Sequence, residues 1–283
     1  MNPQQINQLI NSNHLFVIPN LANLQTPKSP KSKTQTKKLP KLLSKPLSPN
    51  SKLTRGVVYS AITIPYVEEA IRSAKTLKKV CPDIPITLYT DQVNIAQKAN
   101  SNIFHQILSI NMKEMNDKKM KLVPYAKLSK IRSMASFPYD ITLYLDTDTK
   151  IVKPIYELFD YGQQYDITIA NSPKLNKTKV PYTLSSYVWP KHYNSGVVLY
   201  RNNSQVQQLF SQWQKKVLQD KNIYRKHSGK FWDQPKLVEL LNDKNCPIKL
   251  KVVPNTIYNA RHTILPRMKK DGKYKNVKII HKH

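Results

Sequence analysis

Glycine is scarce in this chain, with 5 in 283 residues. None forms G-x-G-x-x-G or a Walker A loop, which argues against a phosphate cradled by backbone N–H groups. Cysteine is scarcer: Cys81 and Cys246 stand far apart and belong to no C-x-x-C pair. That speaks against a zinc site or a disulfide framework and fits a reducing compartment. No apolar run reaches the roughly eighteen residues a membrane-spanning helix needs, and the N-terminus lacks the charged-then-apolar pattern of a secretory signal. These absences predict a soluble, cytoplasmic protein. Neither G-x-S-x-G nor H-E-x-x-H is present, so hydrolase and zincin chemistry are not indicated. Acid is the last deficit: Asp plus Glu number 17 against 46 Lys plus Arg, for a formal net charge of +29.

That excess favours polyanionic partners or anionic surfaces and says nothing about fold. The first acid is Glu68, and residues 1–55 hold eight lysines and Arg55, so most of the charge belongs to the rest of the chain. From Thr26 to Thr54, Pro27, Pro30, Pro40, Pro46 and Pro49 alternate with Lys28, Lys31, Lys33, Lys37, Lys38, Lys41 and Lys45. Proline opposes helix and the lysines repel one another, which predicts a disordered tail over 1–54 and one folded domain over 55–283.

The domain opens with an apolar strand pattern from Gly56 to Thr63. Pro65 at a helix start, Glu68 and Glu69 in its first turn and Lys75, Lys78 and Lys79 near its end predict a helix to about Val80. Pro85 to Asp91 reads as a second strand and Ile103 to Ile110 as a third, an order that predicts a parallel sheet covered on both faces. Tyr125 to Phe137 reads as helix, Ile141 to Leu145 as a buried central strand, and Asp166 to Ala170 and Tyr193 to Tyr200 as strands flanking a polar loop, Asn171 to His192. Helices over Val206 to Leu218 and Asp233 to Leu241 precede late strands at Ile248 to Val253 and Val277 to Ile280. No internal repeat is present.

The chemistry centres on Ile141-Thr142-Leu143-Tyr144-Leu145-Asp146-Thr147-Asp148-Thr149, where a buried strand runs into two acids one residue apart. Positions i and i+2 share a side of an extended chain, which lets Asp146 and Asp148 converge on one cation. The C-terminal edge of an open α/β sheet is where ligands bind. Carboxylates suit hard ions such as Mn2+ or Mg2+ that bridge to phosphates. The bare triplet is a common pattern, and a surface turn capped by aspartate is the alternative.

Taken in order, Leu143 to Thr149, Tyr193-Asn194-Ser195-Gly196-Val197 and Asp233-Gln234 resemble nucleotide-diphospho-sugar transferases of the GT-A fold, the group that includes glycogenin and bacterial retaining galactosyltransferases. The likeness covers about residues 56–283 and extends to Glu68-Glu69-Ala70-Ile71, Leu88-Tyr89-Thr90-Asp91, Pro138-Tyr139-Asp140 and Tyr258-Asn259. It implies a Rossmann-like α/β architecture with a mostly parallel central sheet flanked by helices. It makes Asp146, Asp148 and His281 the metal ligands, and Thr63, Tyr66, Asp91, Lys130, Asp146, Thr147 and Asn194 the donor-binding positions. Asp233 and Gln234 become the residues that hold the donor sugar and face its anomeric carbon.

Each position carries an alternative. Lys130 stands sixteen residues before Asp146, the spacing of the donor-contacting base in glycogenin-like enzymes, but could be an exposed helix lysine, with Arg132 a rival. Tyr66 matches the aromatic that stacks on uracil or is a core tyrosine. Thr63 stands where the resembling proteins usually have Asn. Gly196 inside a strand pattern marks close approach of backbone or ligand, with the Asn194 amide able to meet a sugar hydroxyl. Asp233 could be an ordinary N-cap. His281 could be a solvated terminus, and the continuation H-x-x-G-x-x-K-P-W does not follow before His283, leaving Lys282 as a partial substitute at the pyrophosphate.

The resemblance implies a metal-dependent transferase that moves a sugar from a nucleotide diphosphate, UDP-sugar favoured, to an acceptor that is a glycan or protein. Retention of anomeric configuration follows from the glycogenin-like likeness alone. The basic surface suits an anionic acceptor, or an anionic membrane close to the substrate, and no specific nucleic acid is expected. The competing reading is a non-catalytic basic binding protein for nucleic acid or anionic membrane. A nucleotidyltransferase would share the D-x-D chemistry but lacks a glycine-rich phosphate loop here.

Overall fold

The computed structural model describes residues 53–99, 102–113, 120, 122–172, 192–220 and 233–282. Residues 1–52 of the tail expected over 1–54, nearly all of the loop expected between Asn171 and His192, and His283 lie outside them; Thr54, at the end of that expected tail, is tied to the domain by hydrogen bonds to Asp140.

The central sheet has seven strands. In chain order they are β1 (Arg55–Ala61), β2 (Ile86–Thr90), β3 (Gln106–Ser109), β4 (Ile141–Leu145), β6 (Ile167–Asn171), β7 (Tyr193–Arg201) and β8 (Leu250–Val253), and in space β3-β2-β1-β4-β7-β6-β8. Six run parallel. Strand β7 alone is antiparallel, wedged between β4 and β6, so the sheet is mostly parallel, as the strand-and-helix alternation of the first half predicts.

All five residues of β4 are buried. Ile141, Leu143 and Leu145 join one core and Tyr144 the other, the two-sided burial that a continuous apolar run implies. Helices α1 (Ile64–Val80), α2 (Val93–Lys98) and α4 (Tyr156–Gln164) cover the first face. Helices α3 (Leu122–Met134), α5 (Ser204–Leu218) and α6 (Gln234–Leu241) cover the second, with Trp213 wholly buried among them. Helix α1 starts at Ile64 with Pro65 in its first turn, so Glu68 and Glu69 fall one turn later than the sequence suggests.

A second sheet of three strands stands beyond the C-terminal end of β4. It orders β5 (Thr149–Ile151), β10 (Ile279–His281) and β9 (Ala260–Arg261). Between β8 and β10 the chain also forms α7 (Asn255–Tyr258) and α8 (Leu265–Lys270). The late strand expected over Val277 to Ile280 therefore begins two residues later, takes in His281, and belongs to this small sheet.

Candidate active site

The D-x-D stretch is the hinge between the two sheets. The Asp146 N–H donates to the Gly196 carbonyl at 2.8 Å, extending the β4–β7 ladder by one residue, and the chain then turns. Thr149 closes the turn, its N–H and its hydroxyl both donating to the Asp146 carbonyl at 3.3 and 2.8 Å. The two carboxylates converge because of this turn, and strand alternation, the reason expected from the sequence, is not the cause. Thr149 is anchored in turn by a buried hydroxyl chain through Ser73 to Tyr59.

His281 faces both acids across the seam. Its Nε2 lies 3.0 Å from Asp148 Oδ1 and 3.7 Å from Asp146 Oδ2, and its Nδ1 lies 2.7 Å from Asn259 Oδ1. The Asn259 side-chain oxygen accepts the Nδ1 proton, which turns Nε2 to the carboxylate oxygens. Lone pairs do not rest against each other without a proton or a cation between them. One ligand atom from each of Asp146, Asp148 and His281 lies within 4.8 Å of the others. The set fits a hard divalent ion, with His281 only 4% exposed and its second nitrogen held. Gly196 makes room for it: a Cβ there would stand 2.5 Å from His281 Cε1 and 2.6 Å from Asp146 Oδ2.

Beside the acids lies a buried ion-pair network. Lys130, 4% exposed on α3, donates to Asp146 Oδ1 at 3.0 Å and Ser195 Oγ at 3.2 Å and stands 3.7 Å from Asp233 Oδ2. Its ammonium also lies over the Tyr144 ring, whose hydroxyl donates to Asp146 Oδ1. Lys127, one helical turn earlier, reaches the other Asp233 oxygen at 3.6 Å. Burial works to raise the Asp146 pKa, but Lys130, His281 and Lys127 outweigh it and hold the carboxyl well below the usual range. Lys127 is pushed the other way, upward, chiefly by Asp233.

Asp233 precedes α6 in helical geometry but makes no side-chain cap. The two lysines take its carboxylate, and the Trp213 indole N–H fixes its carbonyl at 2.9 Å. The Gln234 side-chain oxygen accepts from the Ser195 N–H at 3.1 Å. The Asn194 carbonyl oxygen accepts from the Gly196 N–H at 2.9 Å, so the group it keeps to offer is its amide nitrogen. Thus Lys130, Asp146, Asp148, Asn194, Asp233, Gln234 and His281 form one cluster.

Thr63, Tyr66, Asp91 and Thr147 lie around it without joining that network. Thr63, at the positive φ of 75°, donates its N–H to Asp91 Oδ1 at 2.8 Å. Tyr66 is 49% exposed on α1, which removes the core-tyrosine alternative. Thr147 donates to Glu69 at 3.2 Å. Lys130 is no exposed helix lysine, and Arg132 is buried near it on the same helix. The sequence reading assigned no role to Lys127, Tyr144, Ser195 or Asn259. Lys127 had a signal in its i,i+3 spacing from Lys130, which places both on one helix face.

The model of the nucleotide-diphospho-sugar transferase family matches residues 94–281, more than half of the chain. The chain belongs to that family. It is a glycosyltransferase with a nucleotide-diphospho-sugar as donor. Solved structures with the same GT-A architecture include the galactosyltransferase LgtC with donor and acceptor sugar analogues, at 14% identity and a TM-score of 0.50 over 80% of this chain and 86% of that one. Mouse xyloside xylosyltransferase 1 matches at 16% identity and 0.50, over 81% and 97%. The bifunctional glycosyltransferase WbbM matches at 13% and 0.52, over 83% and 46%. At these identities the likeness is one of fold. No curated protein sequence matches the chain.

Proposed function

We propose that this glycosyltransferase is metal-dependent and takes a UDP-sugar, with Asp146, Asp148 and His281 as the ligands of Mn2+ or Mg2+. The observation that carries this reading is the convergence of both carboxylates and the Nε2 of His281 at the C-terminal edge of the sheet. A bound divalent ion supplies Lewis-acid stabilisation of the charge that develops on the leaving diphosphate. Lys130 keeps Asp146 ionised and ready to bind. Ser195 and the two lysines hold the Asp233 carboxylate in one place, 2% exposed, on the other side of Lys130 from Asp146. Gln234, tied to the Ser195 N–H, and the amide nitrogen of Asn194 orient the sugar. Tyr66 offers an exposed ring for the base, and the Thr63–Asp91 hydrogen bond shapes the ends of β1 and β2 beside it. Thr147 keeps the turn between the two acids in place through Glu69. The acceptor is an anionic glycan or protein, matched to the basic surface.

The deciding experiment incubates the full chain with a panel of nucleotide sugars, with and without Mn2+, alongside Asp148→Ala. Release of nucleoside diphosphate that requires Mn2+, is greatest with one UDP-sugar and disappears in the variant is the expected result. Turnover that persists in chelator, or an Asp148→Ala rate equal to the parent's, would remove the metal from the mechanism.

A further inference from the structure

Strand β9 consists of Ala260 and Arg261 and pairs in parallel with β10, Ala260 opposite Ile280 and Arg261 opposite His281. Residues opposite one another in a ladder leave the same face, and successive residues alternate. Ala260 and Ile280 lie together in a small third core with Met268 and Val277. Arg261 and His281 therefore both leave the other face, where His281 meets Asp146 and Asp148. Burial lowers the Arg261 pKa, and Asp148 and then Asp146, toward which its strand register turns it, act in the opposite direction.

The neighbouring cations are committed elsewhere. Lys130 is shared by Asp146 and Asp233, and Lys127 is paired with Asp233. Lys282, the cation the sequence offers next to His281, is exposed. Arg261 makes no side-chain hydrogen bond or ion pair among the described residues. It is half-buried, and no side chain among the described residues takes its donors. A divalent ion on two carboxylates is close to neutralised, so a diphosphate arriving there still needs a countercharge. A guanidinium offers five N–H donors in a planar fork that matches phosphate oxygens.

Resting on the reading of this cluster as a nucleotide-sugar site, we propose that Arg261 binds the diphosphate of the donor and sets the preference for nucleoside diphosphates over monophosphates. Calorimetric titration of the full chain in Mn2+ with UDP, UMP, GDP and GMP tests it, on the parent, Arg261→Gln and Arg261→Lys. In Arg261→Gln, diphosphate affinity should fall about tenfold to hundredfold, while monophosphate affinity changes by less than about threefold. Arg261→Lys should lie between, because it keeps the charge and loses the fork. An Arg261→Gln ratio of diphosphate to monophosphate affinity equal to the parent's would overturn the role of Arg261 alone. A parent that binds neither diphosphate would overturn that role together with the donor-site reading. Should the glutamine variant fail to fold, a parent-like ratio in Arg261→Lys would overturn the clamp.

Discussion

Lys130 and Asp146 set the electrostatics of the site, and their pairing has a pH signature. The folded-state pKa of Asp146 is depressed, with burial opposing and Lys130, His281 and Lys127 prevailing. A depressed carboxyl contributes stability that is complete above its unfolded value, about 3.9, and is lost as pH falls through the folded value. Lys130→Met leaves Asp146 and Asp233 short of a buried partner, and should cost about 3 kcal/mol at neutral pH. The difference from the parent should narrow below about pH 4 as Asp146 loses its charge. Denaturant titrations in chelator at both pH values check this, and a difference that does not narrow would mean that lost packing outweighs lost pairing. Thr63 gives a second prediction. At φ 75°, ψ 157° a β-branched residue sits in a region that suits glycine. Thr63→Gly keeps the backbone N–H that bonds Asp91 and should therefore raise stability by about 1 kcal/mol; a lower melting temperature would show that side-chain contacts of Thr63 and the added freedom of the unfolded chain outweigh the backbone strain.

Strand β7 is the element on which the site depends, because its start supplies Asn194, Ser195 and Gly196 from between β4 and β6. Gly196→Ala would drive a methyl into His281 and Asp146 Oδ2, at 2.5 and 2.6 Å, so the ligands must separate. A displacement of that size should cut turnover by about a hundredfold while the fold survives. Circular dichroism and rate measurement on one preparation check it, and near-parent turnover would place the ligand group elsewhere. Sequence made much of this legible. The buried run of β4 and its two acids announce both sheet and site, and the glycine within an otherwise apolar strand announces close approach. The antiparallel sense of β7 was not legible, because a long connection precedes it and periodicity reports faces without direction. Nor was the second sheet: β5 and β9 are three and two residues long, too short for any period, and they form only because β10 pairs with both. Asn259 and Arg261 gain their places from that pairing, which no local pattern encodes. Tyr258-Asn259 was visible as a motif without a role.

At the scale of the whole molecule, charge and fold separate. Every strand of both sheets lies between Arg55 and His281, and no helix among the described residues is long and apolar enough to cross a membrane. The first 52 residues hold eight lysines and no acid. That charge acts on any polyanion within a Debye length, about 8 Å at physiological salt. We propose that residues 55–283 carry the stability and the donor chemistry and that the preceding segment adds only electrostatic attraction. Removing residues 1–52 is expected to shift the melting temperature by no more than about 2 °C, since surface and terminal changes away from packed features contribute within about half a kcal/mol. Nucleoside diphosphate affinity in Mn2+ should be unchanged. Retention on anionic vesicles or an acidic polysaccharide at low salt should fall severalfold, and the difference should vanish as salt is raised. Melting curves, titration calorimetry and co-sedimentation on the two chains measure these separately. A large loss of melting temperature would mean that the segment docks on the domain, and equal retention on anionic surfaces would assign the attraction to the basic face of the domain itself.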